Sequence, residues 1–169
     1  MNILFYKAEA ILDAGLTGDA RVEFEAAMRQ SVSKVSSFAS SVDPKSVPAK
    51  TADIDAYVTK WLGLYDAAST NQSKLNVVAK QAWFSYWGQG LESWNLMRRT
   101  GYPVSGGLGY LSVGIQNPIL KPGRQYALRL PYPSQEGNLN PNAAKYVSDV
   151  VFDRDAIFWD KKKITWQYP

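Results

Sequence analysis

The sequence predicts a mainly α fold in a single domain. Helical hairpins occupy residues 1–100, and a long, ordered, loop-rich region with little strand occupies 101–169. Three observations carry this reading. Apolar residues recur at three- and four-residue spacing through the first hundred positions. Gly and Pro punctuate that pattern at about helix-length intervals and become frequent after Pro103. The loop-rich part keeps a Tyr, Leu, Ile and Trp content that a flexible linker lacks, so side-chain contacts must hold it in place.

A first helix follows from Ile3, Tyr6, Lys7, Ala10 and Ala14, with Leu4, Ala8 and Leu12 alongside, and Gly15 and Gly18 break it. Asp19 can serve as N-cap or as first-turn acid of a second helix of about 20 residues. Its apolar stripe holds Ala20, Phe24, Ala27, Met28 and Val32. The spacing Ala20-x3-Phe24-x2-Ala27 lets two helices approach closely, with the ring filling the gap between them. It fits a tetratricopeptide-type repeat and equally a generic helical hairpin. Pro44 and Pro48 make 40–50 a loop.

A third helix starts near Thr51, with Asp53 in its first turn and Ile54, Tyr57, Val58, Trp61, Leu62 and Tyr65 on one face. After a break at 69–74, one long fourth helix is expected from about Ser73 to Arg99. Its stripe holds Val78, Ala82, Trp87, Leu91 and Trp94, widened by Trp83, Phe84 and Tyr86. Gly88 and Gly90 weaken that helix by up to about 1 kcal/mol each, which close packing of another segment would offset. Beyond Pro103, "YALRLPYP" (126–133) reads as a short edge strand or extended segment. "SQEGNLNPNAAKYVSDV" reads as a turn followed by a helical turn near 143–147. Trp159 and Trp166 are expected to dock back on the helices.

Composition excludes several functions. The net charge of +4 is modest, and Lys161, Lys162 and Lys163 form the only tight basic cluster, so nucleic-acid binding is not expected. No apolar run approaches the roughly 20 residues that span a bilayer. The opening "MNILFYKAEAILDAG" lacks the pattern of a signal peptide. The chain contains no Cys and no His, which removes thiolate chemistry, the commonest general base and the commonest zinc ligand. No G-x-S-x-G elbow occurs, and "GGLG" (106–109) lacks the residues a phosphate loop needs. Glu92, Glu136, Asp149, Asp153, Asp155 and Asp160 are not paired by spacing. The reading is therefore a non-enzyme without metal or cofactor.

Loop aromatics suit carbohydrate, because sugar rings lie flat on Trp or Tyr. Tyr102, Tyr110, Tyr132 and Trp166 are the candidates, each with core packing as its competing role. In "WNLMRRTGYP" (94–103), Arg98 and Arg99 complement the negative end of a helix dipole. Gly101 suits the left-handed position past the helix end, and Pro103 prevents continuation. The second arginine has a further use, since a guanidinium carries five donors in a rigid fork. Arg98 or Arg99 is expected to anchor "RLPYPSQEGN" or the C-terminal tail, with Glu136 or Asp160 as the carboxylate partner.

Three segments together resemble a known family. They are "AWFSYWGQGLESWNLMRRTGYP" (82–103), "RLPYPSQEGNLN" (129–140) and "FWD" (158–160), preceded by "YKAEAILDAG" and "FEAAMRQSV". The combination is similar to the C-terminal part of SusD/RagB-type (SusD-like) outer-membrane nutrient-binding lipoproteins. The resemblance implies tetratricopeptide-like hairpins, with Arg98, Arg99, Gly101, Pro103, Arg129, Glu136 and Asp160 as structural anchors. It implies glycan or peptide capture in Bacteroidetes-type polysaccharide utilization, beside a SusC-like TonB-dependent transporter on the outer-membrane surface. It also implies a chain shorter than the family's, with the signal peptide and lipid-anchored Cys lying outside it. The competing expectation is a structural or interaction fragment, marked by an apolar patch around Leu4, Leu12 and Leu16.

Overall fold

The computed structural model describes residues 2–103, 129–151, 155, 157 and 158. The described residues form seven helices: α1 (Asn2–Asp13), α2 (Ala20–Val42), α3 (Thr51–Asp66), α4 (Asn71–Ser85), α5 (Gly90–Thr100), α6 (Ser134–Leu139) and α7 (Ala144–Asp149). No strand occurs among them. The backbone divides into two compact units, Met1–Met97 and Arg98–Pro169.

In the first unit, α1–α2 and α3–α4 are two hairpins that pack on each other. α3 lies against α2, and α4 lies against α1, α2 and α3. Asp19 starts α2, its carboxylate accepting from the N–H groups of Arg21 and Val22 at 2.9 and 3.3 Å. Such a cap contributes about 1 kcal/mol. Thr70 starts α4, where its side chain and that of Ser73 satisfy each other's backbone N–H. Ala20, Phe24 and Ala27 are buried together, as the small–aromatic–small spacing requires.

The core is a continuous column of rings. Tyr65 of α3 meets Phe24 of α2 at 5.6 Å between centroids, and Phe24 meets Phe5 of α1 at 6.5 Å. Phe5 then meets Tyr86, just past α4, at 6.3 Å and nearly edge-on. Tilted and edge-on pairs at these spacings contribute about 0.5–1.5 kcal/mol each beyond area burial. Leu12, Met28, Val58, Leu62, Leu75 and Val78 are buried in the same unit.

Two ion pairs fix the antiparallel register of α2 and α3. Arg21 donates to both carboxylate oxygens of Asp66, at 2.8 and 3.0 Å, and Arg29 donates to Asp55 at 2.6 Å. The Arg21 guanidinium holds the Asp66 carboxyl below its ordinary value of 3.8. Asp66 thus binds a proton less readily folded than unfolded. Its stabilising contribution is present above the ordinary carboxylate value and is lost as pH falls through the lowered one. Asp66→Asn should therefore lower the melting temperature modestly at neutral pH, with the difference from the parent shrinking as pH falls below about 4, so that the acid limb is flatter. An acid limb identical to that of the parent protein would contradict the assignment.

Two expectations are corrected. The long fourth helix is two helices, α4 and α5, separated at residues 86–89. Gly88 has φ +79°, a left-handed conformation that stops helical propagation. Among the described residues, a Cβ built on Gly88 or Gly90 meets nothing within 4 Å, so no described segment packs against either glycine. The apolar patch around Leu4, Leu12 and Leu16 does not form, because Leu12 is buried and Leu4 half-buried against the bundle, leaving only Leu16 exposed.

In the second unit, residues 129–133 are not strand, and 134–139 is a short helix where a turn is predicted. α6 packs on α7, Gly137 letting Val147 approach so closely that a Cβ there would lie 3.0 Å from it. Trp159 and the rest of the C-terminal tail lie outside the described residues, as do positions 126–128 of the predicted strand.

Candidate ligand-binding surfaces

The turn after α5 is built by local chemistry. Arg98 and Arg99 occupy the last helical turn, Arg98 half-buried and Arg99 exposed. Gly101 follows with φ +75°, the conformation a helix end needs and a Cβ disfavours. The Thr100 hydroxyl accepts from the Tyr102 N–H at 3.0 Å. The Tyr102–Pro103 peptide is cis and Pro103 is buried. Tyr102 is half-buried.

Arg129 lies over the ring of Tyr132, its guanidinium carbon 4.9 Å from the centroid. The Arg129 Nε is buried without an acceptor among the described residues, and the ring face is one favourable contact for the cation. Tyr132 remains 42% exposed. Glu136 accepts from the Asn140 side-chain amide at 2.7 Å, and Asn140 in turn accepts from the Asn142 N–H at 3.1 Å. These bonds pin the end of α6 to the loop before α7. Tyr110, Asp160 and Trp166 lie outside the described residues.

The first unit presents an aromatic surface that the sequence reading assigns to the core. Trp87, between α4 and α5, is 92% exposed, and Phe84 and Leu91 on either side are exposed as well. The local signal for this lies in Gly88. The helix stops before position 86, so Trp87 no longer follows the stripe that continued helical periodicity would give it. The neighbouring elements are held firmly: Tyr86 is buried, and Glu92 in the first turn of α5 accepts from the hydroxyl of Tyr6 on α1.

A second polar contact lies between α3 and α4. The Tyr57 hydroxyl donates to the Gln81 side-chain oxygen at 2.6 Å, while the Gln81 amide nitrogen is buried without a partner. Burial pushes the Tyr57 phenol above its ordinary value, and the bond to Gln81 partly offsets this. Among the described residues no group of three or more Asp or Glu side chains converges as a metal site, and no helix is long and apolar enough to cross a membrane.

Stacked helical hairpins with aromatic side chains turned to solvent define a scaffold that presents surfaces to ligands or partners. The family model described as "SusD-like: Susd and RagB outer membrane lipoprotein" matches residues 1–160, and the chain belongs to that family. No curated protein and no solved structure matches it. At the family level this means an outer-membrane lipoprotein group whose members bind nutrients beside SusC-like transporters and act as binders rather than enzymes.

Proposed function

We propose that this protein captures glycans or oligopeptides at the extracellular face of the outer membrane and passes them to a SusC-like TonB-dependent transporter without chemical change. The observation that carries this reading is the family match across residues 1–160. Exposed aromatic rings support it, because Trp87 and Tyr132 each offer a flat apolar face next to polar groups. Tyr132 is the better oriented, since Arg129 holds its ring from one side. In this reading Arg98, Arg99, Gly101, Pro103, Arg129, Glu136 and Asp160 shape the fold, and ligand contacts come from the rings.

Glycan and oligopeptide arrays with the purified chain, followed by calorimetry, test the proposal. One ligand class should bind, and Tyr132→Ala or Trp87→Ala should weaken that binding about tenfold or more, the loss of an aromatic anchor. Binding unchanged in both variants would move the site elsewhere. No binding to any glycan or peptide would remove the capture role from this chain. The second reading, a helical interaction fragment, is favoured by the outer side of α2, where Val35, Phe38 and Val42 are exposed.

A further inference from the structure

The seam between α3 and α4 holds a polar group that the fold leaves unfinished. Gln81 of α4 is 4% exposed, the one buried polar side chain among the described residues. Its side-chain oxygen accepts from the Tyr57 hydroxyl of α3 at 2.6 Å, and its side-chain nitrogen is buried with no acceptor. Turning the amide over does not help, since its two ends exchange roles and one of them still lacks a partner. A buried amide donor without an acceptor is costly, and folded proteins satisfy nearly all such groups.

The surroundings specify the missing partner. The bond to Gln81 is the one hydrogen bond of the Tyr57 side chain among the described residues, so its oxygen can accept from one more donor. The amide nitrogen and the phenol oxygen both lie next to the Gln81 side-chain oxygen. A single atom placed beside both must accept from the amide and donate to the phenol. A hydroxyl does both, whereas a carboxylate or carbonyl cannot donate and an ammonium cannot accept. Neither side chain is charged, so nothing in the pair offsets the cost of desolvating an ion. Tyr57 is 38% exposed, and its ring centroid lies 6.3 Å from that of half-buried Trp61, one turn along α3. Aromatic rings beside a hydroxyl-binding amide suit a pyranose, which has an apolar C–H face and hydroxyls along its edge.

We infer that Tyr57, Trp61 and Gln81 form a sugar subsite in the α3–α4 seam. One ligand hydroxyl accepts from the Gln81 amide nitrogen and donates to the Tyr57 oxygen, while the sugar's apolar face rests on the two rings. The inference rests on the glycan branch of the proposed function and adds three residues that reading does not use. Because the amide nitrogen is closed to solvent, entry requires the part-exposed Tyr57 ring to turn outward, and binding is coupled to that turn.

The test uses the full chain and the best glycan from the array, with a series of analogues each lacking one hydroxyl. Calorimetry should show Gln81→Met binding about tenfold more weakly than the parent, with an unchanged or raised melting temperature because the unpaired amide is gone. One deoxy analogue should bind the parent about tenfold more weakly than the complete sugar, and Gln81→Met should no longer distinguish the two. In nitrogen-15 spectra of the parent, the side-chain amide signal that disappears in Gln81→Met should move when the glycan is added. Parent affinity in Gln81→Met overturns the subsite and leaves capture by Trp87 or Tyr132 standing. A bound glycan that leaves the Gln81 amide signal in place assigns the nitrogen to an internal water and also overturns it. Binding of peptides alone overturns the sugar assignment, and binding of nothing overturns both this subsite and the capture role.

Discussion

Phe24→Ala should unfold much of the first unit under conditions where the parent protein is stable. Phe24 is fully buried and contacts rings on two other helices, Phe5 of α1 and Tyr65 of α3. Truncating it removes the transfer free energy of a whole ring and leaves a cavity where three helices meet, a loss of about 3–5 kcal/mol. Against a typical total of about 5–15 kcal/mol, that is a large fraction. The cavity cannot collapse easily, because Ala20 and Ala27 on the same face are already small and buried. Phe24→Leu retains most of the volume and should cost far less. Urea melts followed by circular dichroism provide the measurement. A Phe24→Ala loss below about 1 kcal/mol would mean that the ring column is not the core of this unit.

Phe24 also shows what was legible from the sequence. The small–aromatic–small spacing on α2 needs only helical periodicity and residue size, and both can be read from the chain. So can Asp19 as a cap and Gly101 past α5, because capping and left-handed turns are chemistry within a few residues. The stripe Val78–Ala82–Trp87–Leu91–Trp94 keeps helical spacing straight through Gly88, and periodicity does not reveal where a chain stops being helical. On α2 the same spacing puts Val32 on the stripe of Phe24 and Met28, and there it is half-buried while Val35 is exposed. The candidate surfaces were less legible still. Trp87 is as hydrophobic as any core residue, and its hydrophobicity does not reveal that it lies exposed in the break between α4 and α5. The stacking of Arg129 on Tyr132 joins residues three apart in a segment whose backbone the sequence left open between strand and extended chain.

Tyr86→Ala and Trp87→Ala should have very unequal consequences, although the residues are neighbours and Trp87 is the larger. Tyr86 is 1% exposed and Trp87 is 92% exposed. Tyr86 caps the end of α4, with its N–H donating to the Ala82 carbonyl at 3.0 Å. Its ring packs edge-on against Phe5 and lies 6.4 Å from Tyr6. Removing that ring takes away the last member of the aromatic column and the surface against which α1 holds the α4–α5 turn. A loss of about 3–5 kcal/mol follows. Tyr6 also bonds Glu92 at the start of α5, so the α5 docking should loosen in the same variant. Trp87→Ala removes a side chain that buries almost nothing and should shift stability by no more than about 0.5 kcal/mol. Tyr86 and Phe24 both touch Phe5, so their combined loss should differ from the sum by about 0.5 kcal/mol or more. Equal melting temperatures for Tyr86→Ala and Trp87→Ala would contradict the break at Gly88. A single continuous helix through 73–99 would set both rings on one stripe wide enough to be buried together, and the two truncations would then cost the same.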